Sequence, residues 1–175
     1  MLVNAAETPR LLFDFRAGSA NANWQVVNDD VMGGISRSQF HPGTNGFAIF
    51  RGAVSLENNG GFASVRSPAI VAAPDGSDGF RLRVRGDGRQ YKFTARTEDG
   101  FDSVLYQKAF ATRAGEWLEV VVPFAELAPT FRGRVLPDAA KFNPARLRAV
   151  GFLISDRQAG PFRLEIEWIG WHPVQ

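Results

Sequence analysis

The stretch FRLRVRGDGRQYKFTART, from Phe80 to Thr97, carries the most regular pattern in the chain. Apolar and polar residues alternate one by one on both sides of the Gly86-Asp87-Gly88 triplet. A period of two is typical of a strand with one buried and one exposed face, and a glycine-rich triplet is typical of a turn. The stretch therefore predicts a β-hairpin. Its exposed face would carry five cations together, namely Arg81, Arg83, Arg85, Lys92 and Arg96.

Short segments of similar character follow one another along the rest of the chain. Further strands are predicted over residues 11–15, 47–56, 62–67, 104–110, 116–124, 150–155 and 162–168. In the last of these, Trp168 falls on the inward side. Residues 125–142 are predicted to be irregular, and Asn143-Pro144 is predicted to begin a single helical turn. About ten strands with one or two short helices predict an all-β fold, an antiparallel β-sandwich of the jelly-roll type.

Length and composition limit the classes of protein to which the chain can belong. The 175 residues fit one domain over 1–175. A net charge of +2 is too small to indicate nucleic acid as a partner. With no Cys and only two His, disulfides, thiolate metal sites and multi-histidine centres are excluded. No run approaches the ~18 apolar residues of a membrane span, and the first residues show no basic or long apolar leader, so a cytoplasmic location is predicted.

A second stretch, NWQVVNDDVMGGISRSQF from Asn23 to Phe40, places two carboxylates just before two glycines. Adjacent glycines reach positive φ angles, so a tight turn is expected at Gly33-Gly34. Asp29 and Asp30 then have two interpretations. They accept backbone N–H groups and hold the turn, or they face a partner or ligand.

The run from Trp24 to Phe40 resembles the opening signature of the complex I intermediate-associated protein 30 family. Later blocks resemble the same family in the same order, namely YKFTART, YQKAF, Gly115 to Trp117, Pro123-Phe124, FRGR and the final GFLISDRQAGPFRLEIEWI. The resemblance implies a jelly-roll sandwich similar to galactose-binding and carbohydrate-binding modules. It also implies an assembly factor for respiratory complex I in mitochondria, acting on protein partners rather than as an enzyme. This sequence departs from the mitochondrial members by lacking the expected transit peptide, so a bacterial-type or stand-alone member is predicted.

The candidate binding residues combine the second stretch, the cationic stripe, an outward tryptophan and the FRGR segment. They are Asn28, Asp29, Asp30, Met32, Gly33, Gly34, Ser36, Arg81, Arg83, Arg85, Arg96, Trp117, Arg132 and Arg134. The stripe either meets an acidic partner or is neutralised by cross-strand Glu119, Glu165 and Glu167.

Other chemistries are weaker alternatives. No cofactor is predicted, although a structural Ca²⁺ on Asp29 and Asp30, with oxygens from Glu98, Asp99 and Asp102, is kept open. No catalytic residue is assigned, because neighbouring strand carboxylates point to opposite faces. The sequence therefore predicts a non-enzymatic binding protein, an assembly or scaffolding factor whose partner is a subunit of a respiratory or other multi-subunit complex. The alternative is a carbohydrate-binding module with a sugar ligand.

Overall fold

The computed structural model describes residues 8–17, 23–43, 45–71, 75–100 and 102–175. Within these residues it contains thirteen β-strands and four single 3-10 turns, and no α-helix. The predicted one or two short helices are thus 3-10 turns, and the one at Asn143 begins as expected, with its side chain accepting the Ala145 N–H at 3.0 Å. Residues 1–7, on which the expectation of no leader rests, lie outside the described part.

The strands are β1 Leu11–Asp14, β2 Gln25–Asn28, β3 Arg37–His41, β4 Ala48–Val54, β5 Ala63–Arg66, β6 Ser77–Arg85, β7 Gln90–Arg96, β8 Leu105–Ala111, β9 Trp117–Pro123, β10 Ala128–Phe131, β11 Arg134–Val135, β12 Ala149–Ile154 and β13 Gly160–Pro173. The 3-10 turns are Asp29–Met32, Glu57–Asn59, Phe124–Glu126 and Pro144–Arg146.

Two antiparallel sheets form the sandwich and confirm the predicted fold class. The six-stranded sheet has the order β3-β4-β13-β6-β9, with β1 pairing along β13. The seven-stranded sheet has the order β11-β10-β8-β7-β12-β5-β2. Central β12 is buried at most positions, as its unbroken apolar sequence predicted.

Phenylalanine and tyrosine rings fill the space between the sheets. Phe80 of the six-stranded sheet meets Phe93 of the seven-stranded sheet at 4.9 Å between ring centroids, and Tyr91 meets Phe162 at 6.4 Å. All four rings are at most 3% exposed. Large flat side chains bury much apolar area with few rotatable bonds, which explains why a chain with 15 Phe packs as stacked sheets.

The stretch from Phe80 to Thr97 is not a hairpin, which corrects the prediction from its alternation. Strand β6 pairs with β9 and β13, whereas β7 pairs with β8 and β12. The triplet between them therefore crosses from one sheet to the other. Alternation reports that each strand has one buried face, and this is equally true of strands that pair side by side and of strands that face each other across a core.

The side chain of Asp87 holds the crossing triplet in place. Asp87 accepts the Tyr91 hydroxyl at 3.0 Å and the Arg163 backbone N–H at 2.8 Å, so it links β7 to β13. A Cβ on Gly86 would collide with the side chain of Thr112, so only glycine fits there. The link is a specific inter-sheet crossing and not a turn that any residues could make.

The FRGR segment is a regular two-residue hairpin, which corrects the expectation of an irregular region. Phe131 pairs with Arg134, and the intervening Arg132 and Gly133 have φ angles of 47° and 79°. Two consecutive positive φ angles are typical of a type I′ turn, whose twist matches that of the flanking strands. Strand β10 was not predicted because it contains Pro129, and proline is rare in strands except near a sheet edge.

A β-bulge in β13 corrects the predicted orientation of Trp168. The register slips between Ile166, which pairs with Val84, and Trp168, which pairs with Arg83. The slip places Trp168 on the outer side with Arg83, where it is still only 5% exposed. A bulge inserts one extra residue and reverses the inward–outward order beyond it, so Trp171 takes the core position, stacked on Phe80.

Candidate functional site

The residues between β2 and β3 carry the chain from the seven-stranded to the six-stranded sheet. Asp29 lies at this crossing and is completely buried. Its carboxylate accepts four hydrogen bonds, two from Ser36 at 2.9 and 2.5 Å and one each from the backbone N–H groups of Gly61 at 2.7 Å and Phe62 at 3.3 Å. It thus ties together the 3-10 turn and the starts of β3 and β5.

The hydrogen bonds also decide the charge of Asp29. Burial opposes ionisation, but the donors on Ser36, Gly61 and Phe62 outweigh it and leave the pKa of Asp29 below its ordinary value. The side chain is therefore a buried carboxylate whose oxygens are already occupied. Of the two interpretations given above, the structure shows the turn-holding one for Asp29.

The two positions after this turn favour glycine for different physical reasons. Gly33 has φ 87°, with open space where a Cβ would stand. Gly34 has no positive φ, but a Cβ there would collide with the carboxylate of Asp29. The expectation of positive φ at both glycines is thus correct only for Gly33. At position 34 glycine is needed because the Asp29 carboxylate lies too close for a side chain.

Neighbouring residues of the same turn face outwards. Asp30 is exposed, and the apolar side chains of Val31 and Met32 are 68% and 63% exposed. Asn28 is half-buried and accepts the Ser38 hydroxyl at 2.6 Å. The signature stretch therefore has a buried structural half, with Asp29, Gly34 and Ser36, and an accessible half around Met32.

The cationic stripe is split between the two outer surfaces of the sandwich. Arg81, Arg83 and Arg85 lie on the six-stranded sheet, whereas Lys92 and Arg96 lie on the seven-stranded sheet. The prediction that all five share one face is wrong, because the strands that carry them belong to different sheets.

On the six-stranded sheet the arginines are neutralised. Arg81 pairs with Glu119 at 2.5 Å, Arg83 with Glu167 at 2.7 Å, and Arg85 with Glu165. Burial disfavours the charged form of Glu165, but hydrogen bonds from Arg85 and Arg163 lower its pKa overall. These are the cross-strand acids named from the sequence as the alternative to a partner.

Trp117 is part of the same ionic network. It lies at the start of β9, half-buried, with the Arg85 guanidinium 4.7 Å and that of Arg83 5.6 Å from its ring. Phe47 packs on it edge to face at 5.7 Å. The indole thus already contacts two cations and an aromatic neighbour within the protein.

A groove of about 630 Å³ crosses the outer face of the seven-stranded sheet. One wall is formed by Val31 and Met32 beside β2, and the other by the Phe131–Gly133 hairpin turn beside β11. Arg66, Lys92 and Arg96 lie on its floor. We call this feature the sheet groove. It brings together three candidate residues that are far apart in sequence, Met32, Arg96 and Arg132.

Two of the cations in the sheet groove have acidic partners. Lys92 contacts Asp156 at 3.0 Å, and Arg132 contacts Asp102 at 3.1 Å. Arg134 lies just beyond, exposed on β11. Arg66 was not among the candidate residues. Its outward position in FASVRS was readable, but nothing in the sequence placed β5 two strands from β7.

A second depression of about 860 Å³ is more open and lies beside the signature stretch. Its lining includes Asn28, Asp30, Arg37, Arg51 and Arg163. Arg163 bonds to Glu165 at 2.8 Å, and the exposed Arg37 and Arg51 lie on the outer side of β3 and β4. Its lining also contains apolar residues, namely Ile35, which is 47% exposed, and Ala53 and Pro161.

The described residues contain no group of three or more His, Asp or Glu side chains that could hold a metal ion. The oxygens proposed for Ca²⁺ are also divided, since Asp29 is buried under donors and Asp102 pairs with Arg132. Among the same residues, no helix has the length and apolar character needed to cross a bilayer.

Two facing antiparallel sheets with a groove across one of them define a β-sandwich. The family 11 carbohydrate-binding module of a cellulosomal cellulase from Clostridium thermocellum superposes with a TM-score of 0.69 at 10% identity, covering 95% of each chain. The same module in complex with a β-1,3-1,4-mixed-linked tetrasaccharide gives 0.70 at 11% identity, covering 94% of this chain and 95% of that one. Identity this low shows the fold alone.

The sequence places the chain more narrowly. The family model described as Complex I intermediate-associated protein 30 (CIA30) matches residues 13–166, and the chain belongs to this family. The protein of that name from Mus musculus is 28% identical over 94% of this chain, and that from Drosophila melanogaster is 26% identical over 91%. The chain spans 56% and 62% of these two proteins' own length.

The comparisons correct the predicted location. The relatives from Mus musculus, Drosophila melanogaster and Neurospora crassa are all named mitochondrial proteins, which contradicts the prediction of a cytoplasmic protein. Their names refer to association with an intermediate of complex I and to no catalysed reaction.

Proposed function

We propose that this chain is a non-enzymatic binding protein that takes part in the assembly of respiratory complex I by holding a protein partner in the sheet groove. The observation that carries the proposal is the accessible half of the signature stretch. Val31 and Met32 are more than 60% exposed and form one wall of the groove. Exposed apolar side chains beside a groove are characteristic of surfaces that bind another molecule.

The charges support the same surface rather than the predicted arginine stripe. Arg81, Arg83 and Arg85 already meet carboxylates, so a partner would have to break existing ion pairs to use them. The sheet groove offers an apolar wall together with cations on its floor.

The geometry of Asp29 argues against its use as a catalytic acid. A general acid needs an accessible carboxyl with a raised pKa, whereas Asp29 is buried and its pKa is lowered. Asp30, its neighbour, is exposed whereas Asp29 is buried, so the two carboxylates are in different environments.

The nature of the groove also separates a protein partner from the alternative of a sugar. Sugar-binding sites commonly stack pyranose rings on exposed aromatic side chains. The described lining of the sheet groove contains Phe62 and Phe131, both half-buried, and neither tryptophan nor tyrosine. This composition favours a protein segment.

The test compares two surfaces of the same protein. The double variant Val31→Asp/Met32→Asp alters the groove wall, and Val121→Asp alters an apolar side chain, 42% exposed, on β9 of the other sheet. Each tagged protein is expressed in the organism from which the chain comes, crosslinked in the cells and purified. Complex I subunits in the purified material are identified by mass spectrometry. The amount of assembled complex I is measured on native gels. We expect complex I subunits with the wild type and Val121→Asp and their loss with the double variant.

The proposal fails on either of two results. One is that complex I subunits are absent from the wild-type capture and deletion of the chain leaves complex I unchanged. The other is equal capture by the double variant and the wild type, which would place the contact elsewhere. A glycan array with the purified protein tests the sugar alternative directly, and binding that Val31→Asp/Met32→Asp abolishes would favour it.

A further inference from the structure

Two arginines on the floor of the sheet groove flank the central strand. Arg66 on β5 and Thr94 on β7 both pair with Gly151 of β12, and Arg96 pairs with Ala149 two residues along. The β12 residues that pair with the two arginines are thus small, a glycine and an alanine. A Cβ on Gly151 would collide with the carbonyl oxygen of Val65. The floor is therefore low at its centre and cationic on both sides.

Neither guanidinium has a carboxylate partner among the described residues. Arg66 donates to the backbone carbonyl of Asp99 at 3.2 Å, and Arg96 donates to the Ser103 hydroxyl at 3.4 Å. Lys92 and Arg132 in the same groove do meet acids, as do Arg81, Arg83 and Arg85 on the other sheet. Arg66 and Arg96 differ from these five cations in that respect.

The positive charges of the two guanidinium groups also repel each other. Burial lowers the pKa of Arg96, and the positive charge of Arg66 lowers it further. A pair of like charges held at a partly buried site lacks the counter-charge that would stabilise it. An anion bound between them would supply it, because a guanidinium matches a carboxylate through two parallel hydrogen bonds.

The walls narrow the choice of anion. Val31 and Met32 on one side and Phe131 on the other are apolar neighbours that a free phosphate would leave unused. The groove crosses a sheet of seven strands, about 25–30 Å at the usual strand spacing, which is the length of an extended segment of about eight residues. Charge and shape together fit a peptide that has both acidic and apolar side chains.

We propose that Arg66 and Arg96 form a carboxylate-binding point that receives an Asp or Glu side chain from an extended, partly apolar segment of a protein partner. The apolar side chains of the same segment contact Val31, Met32 and Phe131. This inference rests on the proposed function and names the chemistry of the partner that the sheet groove selects.

The experiment uses a defined probe and matched variants. Acetyl-Val-Glu-Leu-Glu-Val-amide and its uncharged counterpart acetyl-Val-Gln-Leu-Gln-Val-amide are titrated into the full chain, with binding followed by NMR of the arginine Nε–H groups. The variants are Arg66→Gln/Arg96→Gln in the groove and Arg81→Gln/Arg83→Gln on the other sheet. Both double variants remove two positive charges, so a general loss of attraction affects them equally. Thermal melting shows that each is folded.

We expect the acidic peptide to bind at least about tenfold more tightly than its amide counterpart. We also expect Arg66→Gln/Arg96→Gln to remove that preference, whereas Arg81→Gln/Arg83→Gln keeps it. Equal binding of the two peptides, or equal loss in both double variants, would overturn the proposal. Inorganic phosphate that binds as tightly as the acidic peptide and displaces it would overturn the assignment to a peptide segment.

These outcomes are separable from failure of the proposed function. If complex I subunits are still crosslinked to Arg66→Gln/Arg96→Gln as to the wild type, the protein acts on its partner without this point, and only the present inference falls. If the wild type captures no complex I subunit while the acidic peptide still binds between the arginines, the function falls and the site stands.

Discussion

The carboxylate of Asp29 accepts both the backbone N–H and the hydroxyl of Ser36, at 2.9 and 2.5 Å. The two residues are seven positions apart and lie at the crossing from β2 to β3, that is, from one sheet to the other. Both are buried, at 0% and 4% exposure. The pair therefore closes one end of the sandwich with an interior charge that four donors compensate.

Replacing this carboxylate is expected to weaken the fold. Asp29→Asn presents an NH₂ group to N–H and O–H donors and leaves buried polar groups unsatisfied, so the free energy of unfolding should fall by about 2–4 kcal/mol. The matched control is Asp30→Asn, which alters an exposed side chain and should change it by less than about 0.5 kcal/mol. Urea unfolding measures both, and equal effects would contradict the structural role of Asp29.

The stability of the protein should depend on pH through Asp29 and Glu165. Both have lowered pKa values in the fold, so they contribute stability above the ordinary carboxyl pKa, and this contribution is lost as the pH falls through the lowered values. The difference in unfolding free energy between the wild type and Asp29→Asn should therefore shrink between pH 7 and about pH 3. Urea unfolding at several pH values checks this. A difference that stays constant would show that Asp29 does not titrate as described.

The two glycines of the signature stretch should respond differently to asparagine. Gly33 has a positive φ in open space, so Gly33→Asn should cost less than about 1 kcal/mol, since Asn tolerates this conformation. Gly34→Asn should cost about 2 kcal/mol or more, because its Cβ meets the Asp29 carboxylate. Thermal melting of the two variants compares them. The reverse order would mean that the backbone conformation at Gly33 matters more for stability than the close approach of Asp29 at Gly34.

The ion pair between Arg85 and Glu165 should be coupled more strongly than a surface pair. Glu165 has a side-chain exposure of 8% and accepts hydrogen bonds from Arg85 and Arg163. A double-mutant cycle for Arg85→Gln and Glu165→Gln should give a coupling above about 1 kcal/mol. The same cycle on the exposed pair Arg113–Glu116 should give about 0.5 kcal/mol or less. Similar coupling in the two cycles would show that burial adds nothing at Glu165.

Local sequence patterns predicted much of the fold. Alternation identified the strands around Phe80 and Phe93, and the apolar run from Val150 to Ser155 predicted a central strand, which is observed as β12. The Asn143-Pro144 start of a helical turn was also confirmed. These features depend on each residue's own side chain and near neighbours, so they can be read without the rest of the molecule.

Which strands pair with each other could not be predicted from the sequence. The alternating pattern across Gly86 is the same for a hairpin and for an inter-sheet crossing, and only the pairing partners of β6 and β7 distinguish them. For the same reason the stripe of five cations divided into two groups on opposite faces. The bulge before Trp168 likewise follows from pairing with β6 and leaves no mark in the composition of the strand.

The sequence by itself determined that this chain is a member of its family and a β-sandwich, because motifs and alternation are properties of consecutive residues. Only the tertiary structure decided which of two adjacent carboxylates is buried, since Asp29 is held by donors from Ser36 and from Gly61, 32 residues away. It also decided that two arginines without a carboxylate partner among the described residues lie close together. Arg66 and Arg96 become neighbours because β12 lies between their strands, and this order of strands is a property of the folded sheet.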